Sequence, residues 1–128
     1  MPLRVVDTSA WIELLVDSPL MADILPLIPE PDSWLVPTIV QLELVKWLTR
    51  RLGPDAAAPV LAFTGTCVVA PLDTGVAVEA AALCQAHGLA TADAIVYATA
   101  RLHGADLLTC DRHFEGLPGV LLVPKPRT

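Results

Sequence analysis

Short, mostly apolar runs alternate along this chain with longer stretches in which apolar residues recur at helical spacing. Residues 3–6 read as a first strand. After Asp7-Thr8-Ser9, the positions Trp11, Ile12, Leu14 and Leu15 follow a helical period, with Thr8 or Ser9 as the natural N-cap. Ser18 and Pro19 open a second helix, which Pro26 kinks or ends. Residues 33–36 are a strand candidate, and Pro37-Thr38 starts a long helix reaching Leu52, with Gly53 as its stop. A further helical stretch covers about 55–63, and the β-branched run at 67–70 reads as a strand. Asp73 caps a helix ending at His87-Gly88, and Thr91 caps another ending at His103-Gly104. Strands follow at 105–109 and 120–123. Strands separated by helices, with few tight hairpin signals, predict an α/β fold with a mostly parallel central sheet flanked by helices.

Composition adds to this picture. At 128 residues the chain predicts a single domain over 1–128, with a loose tail at 124–128. Hydrophobic residues make up 54% and the mean hydropathy is +0.58, high for a chain this short. Some apolar surface is therefore expected to be covered by a partner or a second copy. Cys67, Cys84 and Cys110 form neither a CxxC nor an even set. They read as small buried residues in a reducing compartment rather than as a disulfide framework or a zinc site. The longest apolar runs are too short to span a bilayer, and there is no cationic leader before a long apolar run, so the expected location is cytoplasmic.

The net charge of −6 does not favour nonspecific binding to nucleic acid. If several acids converge on one site, however, the remaining surface is close to neutral. Lys46, Arg50 and Arg51 share the long helix and could meet phosphates. They read equally well as a solvated face with cations favourably placed near a helix C-terminus.

Asp7, Glu43, Asp93 and Asp111 each sit in an apolar neighbourhood or at the end of an apolar run. An isolated carboxylate avoids such places because burying an unpaired charge is costly. A cluster tolerates burial when a divalent cation neutralises it, which points to metal-assisted phosphodiester cleavage. Each acid also has a plainer explanation. Asp7 follows the first strand, where ligands bind in open α/β sheets, but could simply start a helix. Glu43 has Ile39, Val40 and Trp47 at helical spacing, so it lies on or beside an apolar stripe, unless it snorkels outward. Asp93 opens a helix, where the dipole alone favours an acid. Asp111 ends the fourth strand candidate, on the same edge as Asp7, but could be a turn residue. Asp106 begins that strand, at the opposite edge. His87 and His103 read as partners of helix C-termini, while His113, close to Asp111, could touch a substrate.

Four segments in order resemble the PIN-domain ribonucleases, specifically the VapC-type toxins of toxin–antitoxin pairs. They are Val5-Val6-Asp7-Thr8-Ser9-Ala10, Gln41-Leu42-Glu43, Thr91-Ala92-Asp93-Ala94 and Leu108-Thr109-Cys110-Asp111-Arg112-His113-Phe114. The resemblance spans essentially the whole chain. It implies a PIN-like three-layer sandwich with the acids in one groove, and metal-dependent cleavage of RNA using Mg²⁺ or Mn²⁺. It also implies a homodimer and a cognate VapB-type antitoxin that blocks the groove. On that basis Asp7, Glu43, Asp93 and Asp111 form the catalytic set. Asp7, Asp93 and Asp111 bind metal, and Thr8, Ser9 and Thr109 supply supporting hydroxyls. Many relatives carry a further acid where this chain has His113, which puts a stable second metal in doubt.

Other classes fit less well. A haloacid-dehalogenase-type phosphatase needs an aspartate where Ser9 stands. A receiver-type regulatory domain needs a late lysine at a strand end, and Lys125 lies in the tail. A PIN-like module kept for binding alone is the remaining alternative, although all four acids are present.

Overall fold

A computed structural model describes residues 2–126. Five strands form one wholly parallel sheet: β1 (Arg4–Val6), β2 (Trp34–Pro37), β3 (Val68–Ala70), β4 (Asp106–Thr109) and β5 (Val120–Leu122). Their spatial order is β3-β2-β1-β4-β5. The six α-helices are α1 (Thr8–Leu15), α2 (Met21–Ile24), α3 (Thr38–Leu52), α4 (Ala58–Thr64), α5 (Thr74–His87) and α6 (Thr91–Leu102). The α/β sandwich expected from the alternation of patterns is therefore present, with a sheet that is parallel throughout rather than mostly so.

Successive residues of a strand face opposite sides of the sheet. Val5 and Val6 are both fully buried, as are Leu107 and Leu108, so both faces of the central strands are covered. This explains why those strands read as unbroken apolar runs rather than as alternating ones. Val5 pairs with Leu35 on one side and with Leu107 on the other, which sets the register of the sheet centre. From β1 the chain builds outward through β2 and β3, then returns to the other side of β1 for β4 and β5. The order thus reverses between β1 and β4, and the carboxyl ends of strands at such a switch point open a crevice for ligands.

At the opposite strand ends, Arg4 forms a two-pronged pair with Asp106, Nε to Oδ1 at 2.8 Å and Nη2 to Oδ2 at 3.1 Å. Its third nitrogen donates to the Leu27 carbonyl. Asp106 is thus a structural partner, far along the strand from the switch point. Gly88 adopts φ +65°, in the left-handed region, and lets α5 end and turn towards α6.

The local differences from expectation have simple causes. Asp7 itself occupies the cap position of α1 and Thr8 is already helical; the Asp7 side chain makes no cap bond because two hydroxyls engage it. Ala90 precedes α6, placing Thr91 inside the helix rather than at its cap. The second helix is a single turn that passes at Pro26 into a 3₁₀ turn (Leu25–Leu27). A turn over 54–57 delays α4 to Ala58, with Pro59 in its first turn. Ser33 closes a 3₁₀ turn and the strand extends through Pro37 instead. Asp73 does cap α5, its Oδ1 accepting from the Val76 N–H at 3.0 Å. Of the cysteines, only Cys110 is fully buried, while Cys67 and Cys84 are half-buried and all three are free. The expected loose tail has no regular structure at 124–126, and its last two residues lie outside the described residues. Among the described residues, no helix is long and apolar enough to cross a membrane.

Leu107 lies in the sheet centre with no exposed surface. Leu107→Ala is expected to lower unfolding free energy by about 2–5 kcal/mol, from lost burial and the residual cavity. A urea titration followed by circular dichroism measures it, and a loss below about 1 kcal/mol would place Leu107 outside the packed centre.

Candidate metal-binding acidic site

Asp7 follows β1 directly, and its N–H donates to the Leu108 carbonyl at 2.8 Å, continuing the β1–β4 ladder by one rung. This carries the side chain to the switch point, where it is only 5% exposed. Its Oδ2 accepts from the Ser9 hydroxyl at 2.7 Å and from the Thr109 hydroxyl at 2.8 Å. Ser9 Oγ also accepts from the Cys110 N–H, and Thr109 Oγ1 from the Asp111 N–H, each at 3.0 Å. The two hydroxyls therefore tie the end of β1 to the end of β4 through the carboxylate.

Glu43 projects from α3, whose buried stripe is Val40, Leu44 and Leu48. It sits one position from that stripe and is half-buried, with Oε1 accepting from the Thr8 hydroxyl at 2.8 Å. Gln41, two residues earlier, turns away and donates to Thr64 Oγ1 on α4.

Asp93 lies in the first turn of α6, and Asp111 precedes a 3₁₀ turn (Arg112–Phe114). Asp111 Oδ1 accepts the His113 N–H at 2.9 Å, which curls that turn back over the acids. The His113 ring nitrogen Nδ1 consequently stands 3.2 Å from Asp93 Oδ2 and 3.2 Å from Asp111 Oδ1.

The electrostatics follow from this crowding. Burial pushes the Asp7 carboxyl up to about 6, against the two hydroxyl bonds that favour its charge, and the charges of Asp93 and Glu43 add to the rise. Asp93 is raised too, first by burial and then by the charge of Asp111, with His113 opposing. The acids thus form an array in the order Glu43, Asp7, Asp93, Asp111. Among the described residues, the Lys and Arg ion pairs join Arg4 to Asp106 and Arg112 to Glu115, so His113 alone pairs with the array.

Asp93, Asp111 and His113 each offer one ligand atom, all within 4.8 Å of one another. Asp7 is not in that closest group; its carboxylate is the buried one, anchored by hydroxyls. Carboxylate oxygens suit hard divalent cations, and one imidazole nitrogen is compatible with the transition-metal end of that range. A carboxylate raised by burial and further by its acidic neighbours, with no Lys or Arg paired to it among the described residues, is chemistry that a cation would relieve. The residues present fit such an ion.

All four acids singled out in the sequence gather at the switch point, together with Thr8, Ser9 and Thr109. His113 belongs to the same cluster, whereas the sequence marked it only as a neighbour of Asp111 that could touch a substrate and as a departure from a familiar acid. Its spacing two residues after Asp111, just before the buried Phe114, was the available signal, because a tight turn there must fold back over the strand end.

Fold and site define an α/β protein with an acidic centre at a topological switch point. The PIN domain family profile matches residues 4–120, and the chain belongs to that family. Among solved structures the chain is similar to a toxin–antitoxin complex from Klebsiella pneumoniae, with 24% identity and a TM-score of 0.79 over 92% of this chain and 95% of that one. It is similar to VapC20 of Mycobacterium tuberculosis, a sarcin–ricin loop cleaving toxin, with 21% identity and a TM-score of 0.75 over 91% and 96%. It is also similar to DNA-bound VapBC from Salmonella typhimurium, with 21% identity and a TM-score of 0.73 over 97% and 98%. No curated protein matches the chain significantly.

The raised Asp7 makes a prediction about stability. Its carboxyl ionises near 3.8 ordinarily and near 6 when folded. Between those values the folded chain holds a proton that the unfolded chain has released. Stability of the metal-free protein therefore rises as pH falls through 6 towards 4, and above 6 the ionised group costs on the order of 2–3 kcal/mol. In EDTA, melting temperatures at pH 7.5 and 5 should differ more for the wild type than for Asp7→Asn, and the variant should melt higher at pH 7.5. A lower-melting variant with an unchanged pH response would contradict this account.

Proposed function

We propose that the chain is a metal-dependent endoribonuclease and the VapC-type toxin of a toxin–antitoxin pair, acting in the cytoplasm. The observation that carries this reading is the four-acid array at the β1–β4 switch point, with Asp7 buried and raised. Membership of the PIN family and similarity to a chain of a toxin–antitoxin complex and to a sarcin–ricin loop cleaving toxin support it.

In this reading Asp7, Asp93 and Asp111 hold Mg²⁺ or Mn²⁺, with His113 beside them. When bound, the ion supplies charge neutralisation at the phosphate and makes water more acidic. The remaining work falls to the chain. Ser9 and Thr109 hold the Asp7 carboxylate in one orientation. Thr8 fixes one oxygen of Glu43, leaving the other to orient a water or take its proton. Asp111 is the second group placed for that role. Water then adds to phosphorus in line, the bond to the leaving ribose oxygen breaks, and that oxygen takes up a proton from solvent.

A VapB-type antitoxin and a second copy of the chain complete the proposal. Leu25, Leu42, Leu52, Val78 and Leu102 are each more than half exposed, which supports apolar surface covered by partners.

The test is incubation of the purified chain with total cellular RNA. Discrete fragments are expected with Mg²⁺ or Mn²⁺ and none with EDTA. Asp7→Asn should abolish them, and Glu43→Gln should slow cleavage by roughly 10²–10⁴-fold if Glu43 is the base. Full activity in EDTA would overturn the mechanism. A folded, antitoxin-free chain that binds RNA without cutting it would favour a binding module.

A further inference from the structure

Cations are scarce and unevenly placed on this acidic chain, which has 8 Lys and Arg against 14 Asp and Glu. Arg4 is consumed by Asp106 and the Leu27 carbonyl at the far strand ends. Arg101 lies against the Tyr97 ring. In contrast, Lys46 and Arg50 are exposed on α3 and line an open cavity of about 240 Å³ that shares Thr8 and Glu43 with the acidic site. Ile12 and Trp47 form its apolar wall, and the Arg51 guanidinium lies 5.1 Å from the Trp47 ring centre. At the other end of the array, a cavity of about 400 Å³ shares Asp111 and His113 with the site and is lined by Arg112 and Lys125. Among the described residues neither Lys46, Arg50 nor Lys125 is in an ion pair.

We propose that these two cavities are the arms of a single-stranded RNA track, with Lys46 and Arg50 holding phosphate on the Glu43 side and Lys125 on the Asp111 side. The inference rests on the ribonuclease reading and adds the residues that bind the strand on either side of the reacting phosphate. The array repels a polyanion everywhere except at a bound cation, so neighbouring phosphates need positive charge where the acids stop, and it is there. The Ile12–Trp47 wall suits an unpaired base, which a duplex would keep stacked within itself. An acidic segment of a protein could meet the same cations but would have no use for their arrangement on both sides of the acids.

Anisotropy of a labelled single-stranded RNA, measured in an Asp93→Asn background with Mg²⁺ over a salt series, tests this. The added pair Lys46→Gln/Arg50→Gln should weaken binding about tenfold at low salt. It should also flatten the plot of log affinity against log salt by about 1.4, at roughly 0.7 per phosphate contact. Lys125→Gln should flatten it by about 0.7, and Arg101→Gln should leave it unchanged. Trp47→Leu should weaken binding without altering the slope. Unchanged slopes in the α3 and Lys125 variants, while the protein without Asp93→Asn still cleaves RNA, would overturn the track and leave the nuclease intact. A protein that neither cleaves nor binds RNA would overturn both.

Discussion

The hydrogen bond from the Asp7 N–H to the Leu108 carbonyl is the constraint on which the rest of the site depends. It extends the β1–β4 ladder past its last paired residues, Val6 and Leu108, and so decides where the first acid stands relative to Thr109 and Asp111. Side chains alternate across a sheet, so a slip of one residue would turn Asp7 to the opposite face and strand it among apolar side chains. The register that prevents this is set by Val5 against Leu107 and Leu35, residues with no chemistry of their own. Packing in the sheet centre therefore positions the carboxylates at its end.

The site is also where the fold is least at ease with itself. A carboxylate buried beside other acids is held by hydroxyls rather than by a cationic side chain, so the scaffold must absorb the cost of its charge. The sheet can do so because its central strands are covered on both faces and its far strand ends are closed by the Arg4–Asp106 pair. The stabilising pair and the destabilising array thus occupy opposite ends of the same strands.

Much of this was legible in the sequence. The runs around Val5-Val6 and Leu107-Leu108 read as strands because burial on both faces removes polar alternation, and the stops at Gly53 and Gly88 read correctly because glycine accepts positive φ. Asp7 and Asp111 were recognisable because each terminates such a run, and Glu43 because it interrupts an apolar helical neighbourhood. The strand order was not readable, since apolar runs do not declare their neighbours. Helix starts were misplaced at Thr8 and Thr91 because the residues before them, Asp7 and Ala90, take the cap conformation without a capping side chain. His113 joins the acids only through the tight turn after β4, and turns of this size leave little trace in periodicity.

The hydroxyl of Thr109 and the carboxylate it holds are separated by 102 residues. Nearly the entire chain must be threaded into place before those two atoms can meet, which is the slow, non-local kind of assembly. A polypeptide still emerging from the ribosome, short of its fourth strand, has the packing of α1 on α3 and of α6 on α3 and β1 to bring Asp7, Glu43 and Asp93 together, but lacks Thr109, Asp111 and His113. The acidic centre is therefore complete only once β4 and the turn after it have been made and have paired with β1, a sequence of events written into the topology itself.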